Sequence, residues 1–136
     1  MRKVRIIIAG SREFSNPFIH YPIMKSTVHS VISDLKLSDE ELKQLTIVSG
    51  SAKGADTLGE RYSLEFGYAC TRFPANWNLY GKRAGYIRNT EMAKYATEPS
   101  YTGLLIAFWN GKSRGTKHMI DIAKEYDMRI YVKYFN

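Results

Sequence analysis

Three short glycine-bearing segments each stand between an apolar, strand-like run and a stretch with helical spacing. They are Gly10-Ser-Arg-Glu13, Ser49-Gly-Ser-Ala-Lys-Gly-Ala-Asp56 and Gly111-Lys-Ser-Arg-Gly-Thr116. An α/β protein can build an anion site this way, because glycine lets the backbone approach the anion and the following helix directs free N–H groups at it. Each segment also carries a Lys or an Arg. Together they predict one anionic ligand, held at one edge of a sheet.

Apolar runs rich in β-branched residues alternate with helix-like segments along the chain. The nearly continuous run Ile6-Ile7-Ile8 indicates a strand that is covered on both faces. The alternation predicts an α/β three-layer sandwich with a parallel sheet of five strands in the order 3-2-1-4-5. In that order the loops after strands one, two and four meet at one crevice. The predicted strands are Val4–Ala9, Leu45–Ser49, Tyr68–Phe73, Leu104–Phe108 and Arg129–Lys133.

Four helices are predicted between the strands. One begins near Phe18, one covers 55–66, one covers 83–96, and the last buries Met119 and Ile120. Residues 38–41 are interpreted as a loop or a capped turn, and residues 75–82 as an aromatic loop.

The charge balance favours an anionic partner such as a nucleotide or a nucleic acid, although it also serves solubility. The 136 residues hold 20 Lys and Arg against 13 Asp and Glu, a net charge of +7. No linker or repeat divides the chain, so we expect one domain over residues 1–136. Cys70 is the single cysteine, which makes the cytoplasm the expected compartment. No membrane span, metal site or other cofactor is expected, because no apolar run is long enough and no ligand cluster has metal spacing.

The second glycine segment is the most specific of the three. Gly50 and Gly54 permit close approach of the backbone, and Lys53 adds a cation. Asp56 would repel an adjacent phosphate, so it suits a helix cap, a ribose hydroxyl or a bound water. The segment is neither a Walker A loop nor a dinucleotide fingerprint, because it lacks both glycine patterns. An ordinary strand-to-helix turn is the alternative.

The other segments add basic and polar groups. Arg12 suits a bidentate phosphate contact or an ion pair with Glu13. Arg88 lies on the inward side of its helix, where it needs a ligand anion or an internal carboxylate partner such as Glu91 or Glu13. Three aromatic residues, Trp77, Tyr80 and Trp109, suit either stacking on a base or core packing. The residues expected to bind the ligand are Gly10, Ser11, Arg12, Glu13, Gly50, Ser51, Lys53, Gly54, Asp56, Arg83, Arg88, Asn89, Gly111, Ser113, Gly115 and Thr116.

Four ordered motifs resemble the YspA-type, cpYpsA-related branch of the SLOG superfamily, which occurs in bacteria and phages. They are Gly10–Phe14, Ser49–Leu58, Tyr80–Met92 and Ala107–Thr116. The match runs from the first strand to the last helix and departs at Ser51, where the family usually has Gly. The resemblance implies a Rossmann-like fold. It implies binding of a nucleotide or nucleotide derivative, such as an ADP-ribose-like signal, more firmly than it implies catalysis.

The superfamily also contains cytokinin-activating phosphoribohydrolases, which use an Arg before strand four and a Glu after a Gly-Thr pair. Arg88 resembles that Arg, but Lys117 and His118 follow the Gly-Thr pair here, so the Glu is missing. The catalytic candidates that remain are Arg88, Glu91 and Asp56, with Glu60 as a further carboxylate.

Three functions therefore stay open. The first is a domain that binds a nucleotide-derived ligand. The second is an N-glycosidase (phosphoribohydrolase) that acts on nucleoside monophosphates. The third is a module for single-stranded nucleic acid, like the DNA-processing protein DprA. Related domains commonly self-associate, so a homo-oligomer is a further expectation.

Overall fold

The computed structural model describes residues 1–136. Five strands form one parallel sheet: β1 (Lys3–Gly10), β2 (Thr46–Ser49), β3 (Ala69–Arg72), β4 (Tyr101–Trp109) and β5 (Arg129–Tyr134). Six helices accompany them: α1 (His20–Leu35), α2 (Asp39–Lys43), α3 (Ala55–Phe66), α4 (Trp77–Tyr80), α5 (Ala84–Ala96) and α6 (Arg114–Glu125), with a 3-10 turn at Gly81–Arg83. The strand order is β3-β2-β1-β4-β5. The predicted Rossmann-like α/β class and strand order are confirmed.

Two apolar cores cover the two faces of the sheet. Ile6 and Ile8 of β1 pack with residues of α1 and α3, whereas Ile7 and Ala9 pack with residues of α5 and α6. Successive strand side chains point to opposite faces, which explains why the β1 sequence is apolar without alternation. Gly59 lets α3 approach β1 closely, because a Cβ there would lie 2.8 Å from Cγ2 of Ile8.

Element boundaries differ from the prediction at three places. The first helix begins at His20 rather than near Phe18, since the Asn16 side chain accepts the N–H groups of residues 18 and 19 in a turn. Strand β4 begins at Tyr101, three residues before the predicted start, because it pairs with β1 from Lys3 onward. The predicted aromatic loop contains the short helix α4, which Asn76 caps by accepting the N–H of Leu79 at 3.1 Å.

The winding of the sheet reverses between β1 and β4, which are neighbours in space but not in sequence. The carboxyl ends of β1, β2 and β4 therefore surround one crevice, the place where open α/β sheets usually bind ligands. None of the helices combines the length and the apolar character that crossing a membrane requires.

Candidate functional site

A cleft of about 780 Å³ opens at this reversal point. Twelve of the sixteen residues expected to bind the ligand line it: Gly10, Arg12, Glu13, Gly50, Ser51, Lys53, Asp56, Arg88, Asn89, Ser113, Gly115 and Thr116. The three glycine-bearing loops and the start of α5 are thus brought together, as their places in the sheet order predict.

Ser11 and Gly54 lie beneath the cleft instead of lining it. Ser11 is fully buried and joins all three loops. Its N–H donates to the carbonyl of Phe108 (2.9 Å), its carbonyl accepts the N–H of Ala55 (3.3 Å), and its Oγ accepts the N–H of Asn110 (3.2 Å). At Gly54, φ is +91° and a Cβ would lie 2.4 Å from the Ser11 carbonyl oxygen, so only glycine fits. Both residues position the loops.

Ser51 takes a backbone conformation that glycine adopts without strain, with φ at +56°. Glu60 holds this part of the loop, since its Oε2 accepts hydrogen bonds from Ser49 Oγ (2.7 Å) and Ser51 Oγ (2.8 Å). Its Oε1 also pairs with Nε of Arg72 at 3.3 Å. These contacts hold Ser51 in this conformation, and Glu60 is a positioning residue.

Asp56 is the buried carboxylate of the cleft, with only 5% of its surface exposed. Its Oδ2 accepts the N–H of Ala52 at 3.1 Å, whereas Oδ1 has no partner in the protein. Asp56 lines the cleft, and its unpartnered Oδ1 keeps some exposed surface, so a ligand in the cleft can reach this oxygen. Burial raises the pKa of Asp56 to about 6, against the opposing effects of the Ala52 hydrogen bond and the Arg88 charge. The carboxylate can accept a hydroxyl from a ligand or carry a proton.

Arg88 is half-buried and has no carboxylate partner. Nη1 donates to the carbonyl of Gly50, and Nε donates to Oδ1 of Asn89 at 3.1 Å. The internal ion pair with Glu13 or Glu91, weighed as an alternative above, is not formed. Burial lowers the pKa of Arg88, while the charge of Asp56 raises it. Nη2 has no acceptor in the protein, and Arg88 lines the cleft.

Gly50 separates these two charged groups. A Cβ at this position would lie 2.5 Å from Nη1 of Arg88 and 2.8 Å from Oδ2 of Asp56. The backbone can pass between the guanidinium and the carboxylate only because no side chain is present there.

The beginning of α6 forms the other side of the cleft. Asn89 connects it to α5, since its Nδ2 donates to the carbonyl of Gly115 (3.3 Å) and to Nδ1 of His118 (3.1 Å). Ser113 caps the helix by accepting the N–H of Thr116 at 3.5 Å. Within the preceding loop, Oδ1 of Asn110 accepts the N–H groups of residues 112 and 113, both at 2.9 Å. Asn110 lines the cleft and lies within the fourth motif, but it is not among the residues expected to bind the ligand; the Asn-Gly pair at the strand end is its sequence signal.

Positive charge predominates in the cleft. Only two carboxylates, Glu13 and Asp56, line it. The five cationic side chains that line it are Arg12, Lys53, Lys82, Arg88 and Lys112. None of the five takes part in any ion pair of the protein. Such an arrangement can neutralise a ligand anion without first breaking an internal pair.

Other residues singled out from the sequence also lie outside the cleft lining, among them Glu60, Tyr80 and Trp109. Arg83 is exposed on the 3-10 turn, Gly111 is exposed at the tip of its loop, and the catalytic candidate Glu91 is exposed on α5. No cluster of three or more His, Cys, Asp or Glu side chains is arranged to hold a metal ion.

Comparison with known proteins identifies the family of the chain. A family model described as the YspA, cpYpsA-related SLOG family matches residues 4–80. The "Gene 61 protein" of Mycobacterium phage D29 is 29% identical over 130 residues, which cover 89% of each chain. No solved structure matches the chain. Since the family model covers more than half of its residues, the chain belongs to the YspA, cpYpsA-related SLOG family.

Proposed function

We propose that this protein binds a nucleotide or nucleotide-derived ligand through its three glycine-bearing loops. The main support is the set of five cations that line the cleft without an ion-pair partner. Family membership supports a nucleotide-related ligand. The cleft volume of about 780 Å³ is ordinary for a small-molecule site.

The charges favour particular places for the parts of such a ligand. A phosphate is repelled by Asp56 and attracted by Arg12 and Lys53, so we place it on the side of those two cations. The amides of Arg114 and Gly115 donate to no protein acceptor, which leaves the start of α6 free for a second phosphate. A ribose hydroxyl then meets the accessible oxygen of Asp56. An ADP-ribose-like molecule, which has two phosphates and two riboses, uses all of these groups.

Calorimetry with AMP, ADP, ADP-ribose and inorganic phosphate tests this proposal. We expect at least one nucleotide to bind, and Arg12→Gln to weaken it about 10-fold through the loss of charged hydrogen bonds. Arg129→Gln is the matched control, because Arg129 is exposed at the beginning of β5, outside the cleft lining. Failure of every nucleotide to bind the intact protein contradicts the proposal. Tight binding of single-stranded DNA with steep salt dependence points instead to the nucleic-acid module.

One observation favours a second candidate, hydrolysis of an N-glycosidic bond. The accessible oxygen of Asp56 shares the cleft with the unpartnered Nη2 of Arg88. A carboxylate beside the ribose can stabilise an oxocarbenium-like transition state while water attacks C1′ and the base leaves. Chromatography of AMP, GMP, CMP and UMP reactions tests it. Hydrolysis is supported if the intact protein and Glu91→Gln release free base and Asp56→Asn does not. Absence of free base in all four reactions excludes hydrolysis of these substrates.

A further inference from the structure

Two large aromatic side chains line the cleft although neither is buried. Trp77, at the start of α4, is 54% exposed, and Tyr86, in the first turn of α5, is 44% exposed. An exposed ring contributes little to the stability of a core, whereas it can lose further apolar surface to a bound planar group. Both rings thus offer surface to a ligand in an otherwise polar cleft.

Both rings are held in place before any ligand binds. The Tyr86 ring stacks on His118, with 4.2 Å between centroids and 19° between planes. The imidazole is itself fixed by the hydrogen bond from Asn89 to its Nδ1. Trp77 belongs to a helix capped by Asn76, and its indole lies against Gly85. Rings fixed in advance lose little side-chain entropy when a ligand stacks on them.

Gly85 lies between the indole of Trp77 and Nη2 of Arg88, the one guanidinium nitrogen that has no acceptor in the protein. A Cβ at position 85 would lie 3.6 Å from Cη2 of Trp77 and 3.7 Å from Nη2 of Arg88. A flat apolar surface and a free cationic donor are therefore neighbours in the cleft. In a nucleotide, a flat base is likewise attached to an anionic sugar phosphate, so one nucleotide can contact both features.

We propose that Trp77 and Tyr86 form a base-binding subsite, so that the ligand carries a planar nucleobase and a sugar phosphate alone does not suffice. This inference rests on the proposed function and specifies its ligand class. The base stacks on the indole and the phenol ring, Asp56 accepts a ribose hydroxyl, and Arg88 donates from Nη2 to the sugar phosphate. Purines are preferred, because their larger ring system covers more of the aromatic surface.

The test compares AMP and ADP-ribose with ribose 5-phosphate, which lacks a base, by calorimetry. Stacking predicts that the two base-containing ligands bind the intact protein about 10-fold or more tightly than ribose 5-phosphate. Trp77→Ala should remove this preference while leaving the affinity for ribose 5-phosphate unchanged. Quenching of tryptophan fluorescence by AMP should occur in the intact protein and be lost in Trp77→Ala. Tyr80→Ala is the control, because Tyr80 lies on the same short helix outside the cleft lining.

The outcomes separate this inference from the proposed function. If ribose 5-phosphate binds as tightly as AMP and ADP-ribose, or if Trp77→Ala retains the full preference with an unchanged thermal unfolding midpoint, the base subsite is wrong and nucleotide binding stands. If no phosphate-bearing probe binds, the proposed function is wrong and the subsite fails with it.

Discussion

Arg88→Gln is expected to weaken nucleotide binding about 100-fold, because the ligand loses a charged donor that no protein group can replace. The guanidinium already donates to Gly50 and Asn89, so its position is fixed, and Nη2 is left for a ligand. A glutamine is shorter and uncharged, so it cannot span the same groups. Calorimetry with the tightest nucleotide of the panel gives the ratio of dissociation constants.

Two further variants make this result specific. Arg88→Lys keeps the charge but lacks the planar fork, so we expect an intermediate loss of about 10-fold. Arg83→Gln removes an exposed cation outside the cleft and should leave the affinity unchanged. Equal affinity of Arg88→Gln and the unaltered protein would show that the guanidinium only braces Gly50 and Asn89.

The convergence of the loops could be predicted from the sequence because it depends on topology alone. Apolar strands that alternate with helices require a parallel sheet, and the reversal of its winding fixes which loops meet. The sequence does not predict the early start of β4, because Gly103 interrupts the strand pattern, although Tyr101 and Thr102 before it are good strand formers. Pairing with β1 from Lys3 onward starts the strand there, and the Arg5 guanidinium lies 3.6 and 3.5 Å from the ring centroids of Tyr95 and Tyr101.

The sequence predicts which side chains face the cleft less completely than it predicts which loops meet there. The sequence predicts a helix from about residue 83, whereas Arg83 lies in the 3-10 turn before α5 and is exposed outside the cleft lining. Ser11 and Gly54 belong to the loops that form the cleft, but their backbone groups contact the neighbouring loops instead of a ligand. Only the backbone contacts of the folded protein show this. Trp77 and Tyr86 come together through the packing of α4 against α5, which local spacing does not encode.

Asp56→Asn is expected to stabilise the fold near pH 8 by about 2–3 kcal/mol, since it removes the cost of a buried charge. Burial raises the pKa of Asp56 from 3.8 to about 6, so the folded protein binds this proton more tightly than the unfolded chain does. The contribution of Asp56 to stability is therefore greatest below about pH 4 and is lost as the pH rises through about 6. The stability that Asp56→Asn gains should therefore decrease as the pH falls. The amide oxygen of the asparagine can still accept the N–H of Ala52.

Urea unfolding of both proteins near pH 4, 6 and 8 measures this pH dependence. Asp121→Asn is the control with the opposite sign. The hydrogen bond from Lys117 lowers the pKa of Asp121, so the charged carboxylate stabilises the folded protein. Replacing it by asparagine should therefore destabilise the fold slightly near pH 8. Nucleotide binding by Asp56→Asn should weaken about 5- to 10-fold, because a ribose hydroxyl loses its charged acceptor. Greater stability with weaker binding would identify Asp56 as a group kept for its ligand at the expense of the fold. A stability difference that does not change with pH would show instead that the carboxylate is solvated in the cleft and keeps an ordinary pKa in the folded protein.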